Sequence, residues 1–111
     1  MQINLTNPRP GVAVLALDGR LNLVSAPQLR TAITEAVDGG RTRVVVDLSA
    51  VGFMDSSGLG VLIAGLKKAR QQGGDLRITG VTQQVATVLQ LTNLDRVLQA
   101  HDGVEEALGD W

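Results

Sequence analysis

Polar and apolar residues alternate in Gln2-Ile3-Asn4-Leu5, the period of a half-buried strand. Asn7-Pro8-Arg9-Pro10-Gly11 interrupts that pattern. Its prolines fix φ and remove backbone donors, so it predicts a turn. Residues 12–17 are apolar throughout, as in a strand buried on both faces, and the two strands predict a hairpin. At Ser25-Ala26-Pro27-Gln28 the period changes to that of a helix. Ser25 is the expected cap, Gln28 holds the capping-box position, and Pro27 is tolerated in the first turn. Leu29, Ala32, Ile33, Ala36 and Val37 then share one face, with Arg30, Thr31, Thr34, Glu35 and Asp38 opposite, until Gly39-Gly40 ends the helix.

The alternation of element types continues to the end of the chain. Arg43-Val44-Val45-Val46-Asp47-Leu48 predicts a strand, and residues 57–72 a second helix stopped by Gly73-Gly74. Leu76-Arg77-Ile78-Thr79 predicts the next strand. Thr82 opens a third helix with Val85, Val88 and Leu89 inward and Asn93 as its stop. Val97-Leu98-Gln99 is expected as a short last strand, followed by a helical turn over 104–108. The order ββαβαβαβα predicts an α/β fold: a mostly parallel mixed sheet covered by helices and joined by right-handed crossovers. Sites in such folds form where strands end and helices begin.

Composition narrows the picture. The length of 111 residues suits one domain over 1–111. Hydrophobic residues make up 44% but aromatics only 2%, Phe53 and Trp111, so Val, Leu, Ile and Ala must build the core. Net charge is −1 and the pI about 5.7, which argues against a nucleic-acid surface. The basic cluster Lys67, Lys68 and Arg70 complements a helix C-terminus. Cysteine is absent and His101 is the sole histidine, excluding disulfides, thiol chemistry and multi-His metal sites. No apolar run is long enough to cross a bilayer and no signal pattern opens the chain, so a soluble cytoplasmic protein is expected.

Catalytic motifs are weak. Gly58-Leu59-Gly60 lacks the third glycine of a dinucleotide fingerprint, and Leu66 stands where a P-loop needs lysine. A triad of Ser56 or Ser57 with His101 has no G-x-S-x-G elbow, and His101 reads as a surface loop residue. Asp47, Asp55 and Asp18 fall near one strand end, where turn and cap formation accounts for them. No catalytic residue, metal or cofactor is assigned, and no turnover is expected.

Phe53-Met54-Asp55-Ser56-Ser57-Gly58-Leu59-Gly60 carries more information. Ser56 or Ser57 can cap the following helix. Gly58, Gly60 and Gly65 each cost about 1 kcal/mol relative to alanine in a helix interior, which asks for tight packing or a closely approaching partner. With Leu59, Leu62, Ile63 and Leu66 inward, the opposite face holds Gly58, Val61, Ala64, Gly65 and Lys68, small and partly apolar. Two readings stay open: a docking surface for another protein, or a face covered by this chain. A phosphate on a serine here would add about −1.5 to −2 charges beside that face and could release a docked partner.

Val44-Val45-Val46-Asp47-Leu48-Ser49 followed by this D-S-S-G-L-G segment resembles the STAS domain family, and within it the bacterial anti-sigma factor antagonists. The resemblance extends to Leu17-Asp18-Gly19-Arg20-Leu21 and the Gln72-Gly73-Gly74 turn. It implies a protein that binds an anti-sigma factor and so frees a sigma factor for transcription. It further implies that the anti-sigma factor is a serine kinase ending the binding by phosphorylation, and that a serine phosphatase resets it. The acceptor would be the first serine, Ser56, with Ser57 as its neighbour and Asp55 as a contact or orienting residue. The expected partner-binding set is Asp55, Ser57, Gly58, Gly60, Val61, Ala64, Gly65 and Asn22. Asn22 stands where the family often has an acidic residue, which removes a charge there. The alternative is a STAS subunit of another assembly, a stress-signalling scaffold or a lipid-transport complex, without sigma-factor control.

Overall fold

The computed structural model describes residues 1–109 and Trp111. Among them the chain forms β1 (Gln2–Thr6), β2 (Val12–Leu21), α1 (Ala26–Asp38), β3 (Arg43–Met54) and α2 (Ser56–Gln71). Then come β4 (Asp75–Thr79), α3 (Gln83–Leu91), a 3-10 turn (Leu94–Arg96), β5 (Ala100–His101) and α4 (Val104–Leu108). The sheet order is β1-β2-β3-β4-β5, with β1 antiparallel to β2 and all later pairs parallel. Sequential parallel neighbours joined by right-handed crossovers put their helices on one face. Accordingly, residues of α1, α2 and α3 share one core with Leu15, Leu17, Val44, Val46, Leu76 and Ile78 of the strands. The other face is covered by α4, whose Ala107 and Leu108 pack with Val12, Val14 and Val45. Both cores are aliphatic, as a chain with two aromatic residues requires.

Several helix ends follow the expected chemistry. Gly40 and Gly73, just past α1 and α2, have φ of +91° and +82°, the left-handed region that glycine adopts without penalty. Asn93 adopts φ 59° two residues beyond α3, as its role as a stop requires. Ser25 differs. It precedes α1, but its own backbone is helical (φ −91°, ψ −18°), so its hydroxyl does not cap. That hydroxyl donates to the Arg20 carbonyl at 2.6 Å, and Gln28 donates to the Met1 carbonyl.

Three strands depart from their expected limits, and β2 is one of them, running four residues past Leu17 to Leu21. β3 runs six residues past Leu48, to Met54. Against β2 it gains one residue between the pairs Ala16–Asp47 and Asp18–Ala50, and another before Arg20–Phe53. These bulges change the spacing of its buried positions from two (Val44, Val46, Leu48) to three (Val51, Met54). Alternation therefore stops while pairing continues. The last strand lies at Ala100–His101 rather than 97–99. The 3-10 turn draws the Val97 and Leu98 amides back to the Leu94 carbonyl, and Leu98 is fully buried without being in a ladder. His101 is correspondingly a strand residue, half-buried, with its Nδ1 3.6 Å from Glu106 Oε1. It is not a loop residue.

Candidate functional site

The bulged end of β3 delivers Asp55 to the start of α2. Met54 pairs with Leu21, and the Asp55 amide donates to the Leu21 carbonyl at 3.1 Å. Asp55 is the N-cap residue, with extended backbone (φ −106°, ψ −175°). Its Oδ1 accepts from the Ser57 and Gly58 amides at 2.9 and 3.1 Å, and its Oδ2 accepts from the Leu23 amide at 3.1 Å. One carboxylate thus satisfies two orphan donors of α2 and ties the loop before α1 to them. The serine cap expected from the sequence is replaced by this aspartate. Its longer side chain reaches both amides, and Ser56 becomes the first residue of the helix.

Ser56 is exposed, and among the described residues its hydroxyl takes part in no hydrogen bond. It stands at the rim of a shallow groove between the N-terminal ends of α1 and α2, lined by Leu23, Pro27, Arg30, Gly60 and Val61. Leu23 and Val24 are 72% and 87% exposed, a pair of large apolar side chains held in solvent. Asn22 fixes their loop. Its Oδ1 accepts from the Val24 and Ser25 amides at 3.0 and 3.2 Å. An Asx turn uses the carbonyl oxygen that asparagine and aspartate share, so the local geometry does not need the charge.

The face of α2 counted as outward is divided. Gly58, Val61 and Gly65 are buried, because α1 and Leu21 cover them. A Cβ on Gly58 would lie 2.5 Å from Leu21 Cγ and 2.8 Å from the Leu21 carbonyl oxygen. One on Gly65 would meet Ile33 and Leu76 at 3.0–3.2 Å. Gly60 has open space around it, and Gly60 and Ala64 are exposed. Of the two readings of that face, cover by this chain holds for Gly58, Val61 and Gly65. An accessible strip remains at Ser56, Gly60 and Ala64.

The carboxylates do not converge. Asp47 accepts from the Ser49 amide at 3.0 Å, Asp55 caps, and Asp18 is exposed where β2 pairs with both neighbours. Two contributors escaped sequence reasoning. The exposed Leu23-Val24 pair sits outside any period, and that isolation was its only signal. Gln84, at the start of α3, pairs with the backbone of Met54 through both ends of its amide.

The STAS domain model matches residues 5–107. The anti-sigma-B factor antagonist of Staphylococcus aureus is 30% identical over 87 residues, covering 78% of this chain and 81% of that protein. The anti-sigma F factor antagonist of Paenibacillus polymyxa is 30% identical over 109 residues, covering 97% and 92%. A crystal structure of an anti-sigma factor antagonist from Mycobacterium paratuberculosis superposes with a TM-score of 0.85 at 29% identity, covering 96% of this chain and 90% of that one. The match over residues 5–107 and the relatives at 30% identity lead to one conclusion: the chain belongs to the STAS domain family, among its anti-sigma factor antagonists.

Proposed function

We propose that the strip formed by Ser56, Gly60 and Ala64, with Leu23 and Val24 beside it, docks an anti-sigma factor that is also a serine kinase, and that phosphorylation of Ser56 ends the docking. A serine phosphatase then restores the binding form, and the chain carries out no chemistry of its own. The observation that carries the reading is the state of Ser56: exposed, with an unengaged hydroxyl, on the rim of a partly apolar groove. A kinase reaches such a hydroxyl without unfolding anything.

The capping arrangement supports a switch at the surface. A phosphate at a helix N-terminus is ordinarily stabilised by free amides. Here Asp55 already occupies those of Ser57 and Gly58. A dianion on Ser56 therefore finds the Ser57 and Gly58 amides taken and lies next to a carboxylate, where a docking partner would have to desolvate it. The fold is unaffected and the interface is lost.

Incubation with the host's anti-sigma kinase and ATP, followed by intact-mass measurement, tests the acceptor. One phosphate is expected on the wild-type chain and none on Ser56→Ala. Equal incorporation in the two would show that Ser56 is not the acceptor.

A further inference from the structure

β3 outruns its neighbour on one side. Its pairing with β4 ends at Asp47–Thr79, whereas its pairing with β2 continues to Met54. The last residues of β3 therefore have a strand on one edge only, in a region where Val51 and Met54 are 0% and 1% exposed. Buried backbone groups there need partners. The beginning of α3 supplies them from side chains. Thr82 Oγ1 donates to the Val51 carbonyl at 2.9 Å. Gln84 Oε1 accepts from the Met54 amide at 2.8 Å, and Gln84 Nε2 donates to the Met54 carbonyl at 3.0 Å. A carboxamide carries a donor and an acceptor side by side, as a peptide group does. Gln84 reproduces the pair of bonds that a neighbouring strand would make.

Met54 is covalently next to Asp55, and Asp55 holds the Leu23 loop and the first turn of α2 together. We propose that Gln84 is a positioning residue for the Ser56 site: by clamping Met54 it sets the place of the Asp55 carboxylate and, through it, of Ser56 and Leu23. This rests on Ser56 being the working residue of the site. Gln84 is remote from Ser56 in sequence and belongs to a different helix, so the site depends on α3 without α3 lining its groove.

Amide hydrogen exchange on the chain alone tests the proposal. Gln84→Met keeps the length of the side chain and removes both hydrogen bonds. Gln84→Glu keeps the acceptor and removes the donor. For Gln84→Met, protection is expected to fall at least fivefold at Met54 and also at Leu23, Ser57 and Gly58, the three amides bound by Asp55. Val45 and Val46 should be unchanged, and Gln84→Glu should fall between Gln84→Met and wild type. Loss confined to Met54 would overturn the proposal, since the clamp would then act only on its own contact. Uniform loss that includes Val45 and Val46 would overturn it too, making Gln84 a residue of the whole fold. No kinase is needed, so a wild-type chain that takes no phosphate would count against the Ser56 switch while leaving the exchange result to judge Gln84.

Discussion

Asp55 joins three backbone amides from two segments with one carboxylate. Its identity as cap was within reach of the sequence, because aspartate caps as well as serine. The D-S-S run hid which of three candidates would do so. That was decided by the bulged strand end, which presents Asp55 with extended backbone. Asp55→Ala should lower stability by about 1–2 kcal/mol in chemical denaturation, the usual cost of a lost cap. Unchanged stability would mean that the cap bonds contribute nothing measurable. The glycines of α2 separate by environment in a way their sequence cannot reveal. Gly58→Ala drives a methyl group into the Leu21 backbone, and overpacking of this kind costs about 1–3 kcal/mol. Gly60→Ala meets nothing and gains helix propensity, so it should stabilise by about 0.5–1 kcal/mol. If Gly60 lies under the partner, the same methyl should also weaken binding of the anti-sigma factor. A variant that is more stable and binds equally well would remove Gly60 from the docking strip.

At the scale of elements, hydrophobic period and helix-end residues located the four described α-helices and β1 to β4, though not all of their limits. The period failed where two structures share one segment. β3 was truncated at Leu48 because bulges shift its buried positions from every second to every third residue. The last strand was displaced because burial of Leu98 looks the same in sequence whether it comes from a ladder or from a turn. The outward face of α2 could not be resolved from one helix, since α1 covers part of it and leaves the rest open. Legibility thus ended at contacts between elements distant in sequence: Gly58 with Leu21, Asp55 with Leu23, Gln84 with Met54. The site is made almost entirely of such contacts. The sequence singles out Ser56 and Asp55 as candidates, but the contacts that support them join elements distant in sequence.

Across the whole molecule the two faces of the sheet have separate tasks. One carries α1, α2 and α3 and presents Ser56 at its rim; the other is closed by α4 and Trp111. The Arg77 guanidinium lies 4.0 Å from the centre of the Trp111 ring and donates to the Ala107 carbonyl at 2.8 Å, fastening the last turn to the sheet. Trp111→Ala should cost about 1–2 kcal/mol through lost cation–π contact and buried area. For a domain near this size that is a melting temperature lower by roughly 4–8 °C per kcal/mol. Affinity for the anti-sigma factor should not change, because the lesion is on the opposite face. A large loss of affinity in Trp111→Ala would show that the partner reaches both faces. No helix among the described residues is long and apolar enough to cross a membrane.

On the proposed function, charge at Ser56 controls docking and leaves the fold intact. Calorimetric titration of the anti-sigma factor with wild type, Ser56→Ala and Ser56→Asp, each checked for its melting temperature, tests it most directly. Ser56→Asp should bind at least tenfold more weakly than wild type, Ser56→Ala should bind at least as well as wild type once phosphorylation is blocked, and all three should melt within about 2 °C of one another, less than the shift expected for 1 kcal/mol. Equal affinity of Ser56→Asp and wild type would show that charge at Ser56 does not control docking.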